Sequence, residues 1–166
     1  GTMQGPMTKR NVLAQSKNLV SIRVLQSAGL QFSQEYVARF GFDMNRIPPY
    51  MTMALGAGEV TPLSLATAYT VFANGGNLVT PWHLLRVTDK DGRVLESFSP
   101  PPLHRAIDAR NAFITTSLMQ DVIRRGTATA AMKLGRQDLA GKTGTSNEHH
   151  DAWFAGFQAT RVAVAW

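Results

Sequence analysis

Apolar positions recur at helical spacing from Met7 to Ala28, where Val12, Leu13, Leu19, Val20, Ile22, Val24, Leu25 and Ala28 build a wide face and Gly29 supplies a stop. A polar triplet, Ser16-Lys17-Asn18, interrupts that face. Ser33 is placed to cap a short helix running to Phe40, with Gly41 ending it. The run from Phe42 to Gly58 has no period, and Pro48-Pro49 and its glycines make it irregular. Thr61-Pro62 then starts a helix: threonine caps free amides, and proline at the first helical position loses no hydrogen bond. Leu63, Leu65, Ala66, Tyr69, Val71 and Phe72 follow, and Asn74-Gly75-Gly76 closes the helix.

Farther along, the period changes from helical to alternating. Leu84 to Thr88 and Arg93 to Phe98 flank Asp89-Lys90-Asp91-Gly92, which predicts a β-hairpin, and Pro100-Pro101-Pro102 ends it. Asp108 is set to cap a helix through Phe113, Ile114, Leu118, Met119, Val122 and Ile123, with Arg124 and Arg125 in the last turn beside the negative helix end. Leu139 to Thr145, Ala152 to Gln158 and Arg161 to Trp166 read as three strands of an antiparallel meander. Trp166 falls inside the third apolar run, where a bare sheet edge would be sticky, so further strand is expected beyond it.

Composition narrows the class. With 166 residues, 44% hydrophobic and 17% charged, the chain suits one globular domain and neither disorder nor a fibrous repeat. No stretch approaches the roughly 18 apolar residues of a membrane span, and no signal peptide is read at the start, where Gly1-Thr2-Met3 looks like an expression remnant. The lack of cysteine excludes disulfides, thiolate zinc and a thiol nucleophile. A net charge of +6 suits an anionic partner, although no nucleic-acid motif accompanies it. Lys9, Arg10, Lys17 and Arg23 supply the basic start and read as a solvated helix face.

Two short segments carry candidate chemistry. Lys142-Thr143-Gly144-Thr145 lies on a predicted strand, where a lysine and two hydroxyls could hold a carboxylate and a glycine could admit a ligand backbone. In Ser16-Lys17-Asn18 the outer residues would point about 200° apart on a continuous helix, so they can act together only if the helix breaks there. Serine and asparagine compete with the helix for backbone partners, which makes such a break reasonable. Taken alone, the first segment reads as a turn and the second as an ordinary cap at a helix–helix junction. His149-His150 reads as an exposed loop pair with no third ligand in view. Trp153, Phe154, Phe157 and Met7, Met51, Met53, Met119 and Met132 read as packing.

Together and in this order, the two segments resemble the Ser-x-Asn and Lys-Thr-Gly motifs of the penicillin-recognising serine transferases. The text from Leu13 to Asn18, Ala54 to Leu63, Phe72 to Gly76, Asp138 to Thr145 and Asp151 to Gly156 extends the likeness to class A high-molecular-mass penicillin-binding proteins of the 1A type. The resemblance implies an α+β fold of the transpeptidase and serine β-lactamase kind, here the helical part with part of the antiparallel sheet. It assigns Ser16 to the proton relay of the leaving group and Asn18 to the substrate amide. Lys142 would assist that relay and attract a terminal carboxylate, which Thr143 and Thr145 would also bind beside Gly144. The Thr145 amide would be one oxyanion-hole donor. No cofactor or metal is implied. The partners would be peptidoglycan stem peptides, β-lactams and the remainder of the same domain.

One departure is decisive for activity. The family's nucleophile lies in a Ser-x-x-Lys motif before Ser-x-Asn, and no serine here has lysine three residues later. Residues 4–166 therefore read as a partial transpeptidase domain, expected to be inactive and marginally folded alone. The nucleophile segment, a closing strand and helix, a glycosyltransferase domain and a membrane anchor would lie elsewhere in an extracytoplasmic parent protein at the bacterial inner membrane. A D,D-carboxypeptidase, a class B transpeptidase and a non-catalytic peptidoglycan-binding module remain as alternatives.

Overall fold

The computed structural model describes residues 5–146 and 151–166. The predicted first helix is two: α1, Lys9–Ala14, and α2, Asn18–Ala28. Thr8 caps the start by accepting from the Asn11 amide. Helix α3, Leu30–Ala38, corrects the reading of Ser33, which lies inside the helix and donates its hydroxyl to Gly29 O at 2.8 Å. A serine that bonds back four residues cannot also cap forward, and Gly29, with φ of 90°, begins the helix instead. The helix also stops at Ala38, before Phe40.

Helix α4, Pro62–Ala73, starts as expected and more firmly. Thr61 Oγ1 accepts from the Ser64 amide while Ser64 Oγ accepts from the Thr61 amide, each at 3.0 Å, a reciprocal cap in which each side contributes about 1 kcal/mol. The chain turns at Gly75 and Gly76 into β1, Asn77–Leu78. A Cβ on Gly76 would sit 2.4 Å from Ile107 O, so only glycine permits this corner. The hairpin of β2, Arg86–Thr88, and β3, Val94–Ser97, is antiparallel and shorter than predicted. β4, His104–Arg105, pairs with β1, a two-residue match invisible in sequence periodicity.

Helix α5, Ala109–Arg125, follows an Asp108 cap. β5, Ala140–Thr145, β6, Ala152–Gln158, and β7, Arg161–Ala165, form the antiparallel meander in that order, so β5 is an edge strand among the described residues. α5 packs beside β5, α4 lies on β6 and β7, and α1 rests on α5. Ile123, Val71 and Val122 are fully enclosed, and each such side chain contributes about 1.5–3 kcal/mol. Met119, Ala140 and Phe157 join the helices to the sheet. Rings of Phe32, Tyr36, Phe40, Phe72 and Phe157 follow one another at centroid spacings of 5.4 to 6.2 Å, tying α3 through α4 to β6. Phe154 and Met132 pack against the neighbouring cluster and Trp153 lies on Trp166, but Met51 is exposed, which corrects its reading as packing. His149 and His150 lie outside the described residues.

Candidate active site

The break between α1 and α2 has a defined geometry. The Lys17 amide donates to Val12 O at 3.1 Å and the Ser16 amide to Leu13 O at 3.2 Å, the two bonds of a Schellman helix end. That motif puts its next residue in the left-handed region, ordinarily glycine's place, and here Ser16 holds it with φ of 51°. Ser16 is the one non-glycine residue with positive φ among the described residues. The strained turn exposes its hydroxyl and removes the 200° separation a continuous helix would impose on Ser16 and Asn18. Asn18 is the exposed first residue of α2.

α1 is fixed to α5 by charge. The Arg10 guanidinium donates to Ser117 O at 3.0 Å and Ser117 Oγ at 3.1 Å, and pairs with Asp121 at 3.2 Å. Arg125 donates to the same carboxylate at 2.8 Å and to Asn11 Oδ1 at 2.8 Å. The two guanidiniums, Arg125 foremost, hold the Asp121 carboxyl below its usual range. At the end of α5 a Cβ on Gly126 would fall 2.2 Å from Ala14 O, and the Thr127 amide donates to that carbonyl at 3.1 Å.

Opposite this corner runs β5. Strand alternation puts Lys142 on the face shared with Ala155 and Phe157, and Thr143 and Thr145 on the other. Lys142 Nζ donates to Ser16 Oγ at 2.9 Å and to Thr143 O at 2.8 Å, which leaves one of its three protons for a ligand. Burial lowers its pKa from the ordinary lysine value, because the half-buried ammonium is less well solvated. Thr143 Oγ1 meets Thr127 Oγ1 at 2.5 Å.

Glycines in the sheet separate packing needs from openness. At Gly141 a Cβ would meet Ala155 O at 2.7 Å, and at Gly156 it would meet the Phe154 ring at 2.6 Å, so the sheet itself demands both. At Gly144 the nearest described atom would be Trp153 Cβ at 3.6 Å, an ordinary contact. Packing among the described residues does not require glycine there. Thr145 ends the strand, exposed, paired with Ala152. Just beyond, Ser146 and Asp151 exchange two hydrogen bonds, at 3.0 and 2.7 Å, and Trp166 Nε1 donates to Asp151 at 2.6 Å.

The structure thus brings Ser16, Lys142 and Thr143 together across 126 residues of chain. Sequence reasoning missed Gly126, Thr127 and Asp121, whose places depend on contacts between distant elements. No hydrogen bond among those found ties Asn18 or Thr145 side chains to this cluster.

A serine on a helix break facing the lysine of an edge strand, under a helical layer, is the arrangement of a penicillin-recognising transpeptidase. The chain belongs to that family: the sequence profile described as penicillin binding protein transpeptidase domain matches residues 1–165. Within it the similarity is to the 1A type. Penicillin-binding protein 1A of Neisseria meningitidis serogroup A is 47% identical over 170 residues, covering 100% of this chain and 21% of that protein. Its counterpart in Pseudomonas aeruginosa is 36% identical over 214 residues, covering 99% of this chain and 26% of that one. The crystal structure of penicillin-binding protein 1A from Haemophilus influenzae superposes with a TM-score of 0.91 at 33% identity, covering 97% of this chain and 30% of that structure. A D,D-transpeptidase domain from Eggerthella lenta shares the fold, with a TM-score of 0.81 at 24% identity. The chain therefore spans about a fifth to a quarter of the curated relatives it matches.

Proposed function

We propose that residues 4–166 are the Ser-x-Asn and Lys-Thr-Gly part of a peptidoglycan D,D-transpeptidase of the 1A type, acting on the extracytoplasmic face of the bacterial inner membrane. The parent protein cross-links stem peptides through an acyl-serine intermediate and is acylated by β-lactams. Its nucleophile lies in a Ser-x-x-Lys segment outside these residues. The observation that carries this reading is the Lys142 Nζ to Ser16 Oγ hydrogen bond.

In this reading the nucleophilic serine gives its hydroxyl proton to the lysine of its own Ser-x-x-Lys motif as its oxygen bonds to the substrate carbonyl carbon, and the carbonyl oxygen takes the negative charge, with the Thr145 amide as one donor to it. Collapse then breaks the carbon–nitrogen bond. Ser16 hands its hydroxyl proton to the departing nitrogen while Lys142 returns a proton to Ser16, so the leaving group departs neutral. The lowered pKa of Lys142 makes that return easier. Its remaining N–H, with the Thr143 and Thr145 hydroxyls, binds the terminal carboxylate, Gly144 admits the peptide backbone and Asn18 donates to its amide.

A double-mutant cycle on the full-length protein tests the pair. Ser16→Ala and Lys142→Ala should each slow penicillin acylation about 10²- to 10⁴-fold, and together scarcely more than Lys142→Ala alone, because both disable the same relay and only Lys142 also binds the carboxylate. Independent, multiplying effects, or near-normal acylation by a folded Lys142→Ala protein, would sink the assignment.

A further inference from the structure

We propose that Thr127 is a positioning residue of the anion-binding lip, its hydroxyl donating to Thr143 Oγ1 so that the Thr143 proton is turned toward the carboxylate of the bound peptide or β-lactam. The inference rests on the carboxylate-binding role proposed above for β5. Two hydroxyls 2.5 Å apart hold two protons, and the bond between them uses one. The second proton is then free for a ligand. An anion at Thr143 can be served only if Thr143 donates outward, and Thr143 keeps its proton for that only if Thr127 is the internal donor.

The backbone supports this assignment. Thr127 is held from behind by its amide bond to Ala14 O, and Gly126 lies so close to the same carbonyl that a Cβ there would collide with it. Ala14 ends α1 two residues before Ser16, so this bond ties Thr127 to the end of the helix that presents the relay serine. The pair is exposed, where a hydroxyl contact adds little to folding because water would replace it readily. A bound carboxylate changes that balance, since a hydrogen bond to a charged group is stronger than one between neutral groups.

The test compares a penicillin with its carboxylate methyl ester on the full-length protein, reading for each variant the ratio of the two acylation rate constants. That ratio is internal to each preparation and does not depend on the folded fraction. Thr127→Val should lower it about tenfold, the worth of one well-aimed hydrogen bond, with the loss confined to the free acid, and Thr127→Ser should preserve it. Thr127→Ala should reproduce the valine result without the added bulk. An unchanged ratio, or equal slowing of acid and ester, overturns the role of Thr127 while leaving the transpeptidase reading intact. A wild-type protein acylated by neither compound overturns that reading and this inference with it.

Discussion

Ser16 stands where helix ends ordinarily put glycine. Its left-handed φ of 51° costs about 1 kcal/mol or more for a residue with a Cβ, and the hydroxyl aimed at Lys142 explains why a glycine does not serve there. This predicts an inverted order of stability at the position. Ser16→Gly should be more stable than Ser16→Ala by about 1 kcal/mol, the reverse of the order inside a helix, while both lose acylation. Thermal melting of the two variants checks it, and an alanine variant that melts at or above the glycine one would show that the turn carries no strain. Lys142 departs from ordinary behaviour in the same economical way. Burial lowers its pKa, yet two acceptors still hold its ammonium in place.

At the scale of elements, the site depends on how α1, α5 and β5 meet. Gly126→Ala would drive a Cβ against the Ala14 carbonyl, a backbone atom that cannot swing aside. Separation of the two helix ends should cost about 1–3 kcal/mol and slow acylation as Ser16 moves from Lys142. A variant with wild-type stability and rate would show that the close approach is incidental. The sequence made the helix break legible, because serine and asparagine are poor interior helix residues, and it made the meander legible through alternation. Ser33 misled, since a hydroxyl that can cap forward can also bond back to Gly29. The β1–β4 pairing and the Thr127–Thr143 contact had no local signal, because each joins short segments brought together only by the packing of α4 and α5. The different packing of Gly141, Gly144 and Gly156 had no local signal either, because it depends on what the paired strand places against each.

Taken whole, the molecule exposes 11431 Å² at 18.1 kDa, against about 8,000 Å² for a self-sufficient monomer of that mass. The surplus is partly apolar: Leu19, Leu63, Phe113, Leu134 and Trp166 are each at least 65% exposed. Such surface suits a covering partner, which under the proposed function is the remaining part of the transpeptidase domain that also brings the nucleophile. No helix among the described residues is long and apolar enough to cross a membrane. The most direct test of this division is to label the full-length protein with a reporter penicillin and map the modified peptide by mass spectrometry. A single acylated serine in a Ser-x-x-Lys segment outside residues 1–166 is expected, with labelling strongly slowed by Lys142→Ala. Label on Ser16 or any other residue of this chain, or no label at all, would contradict it.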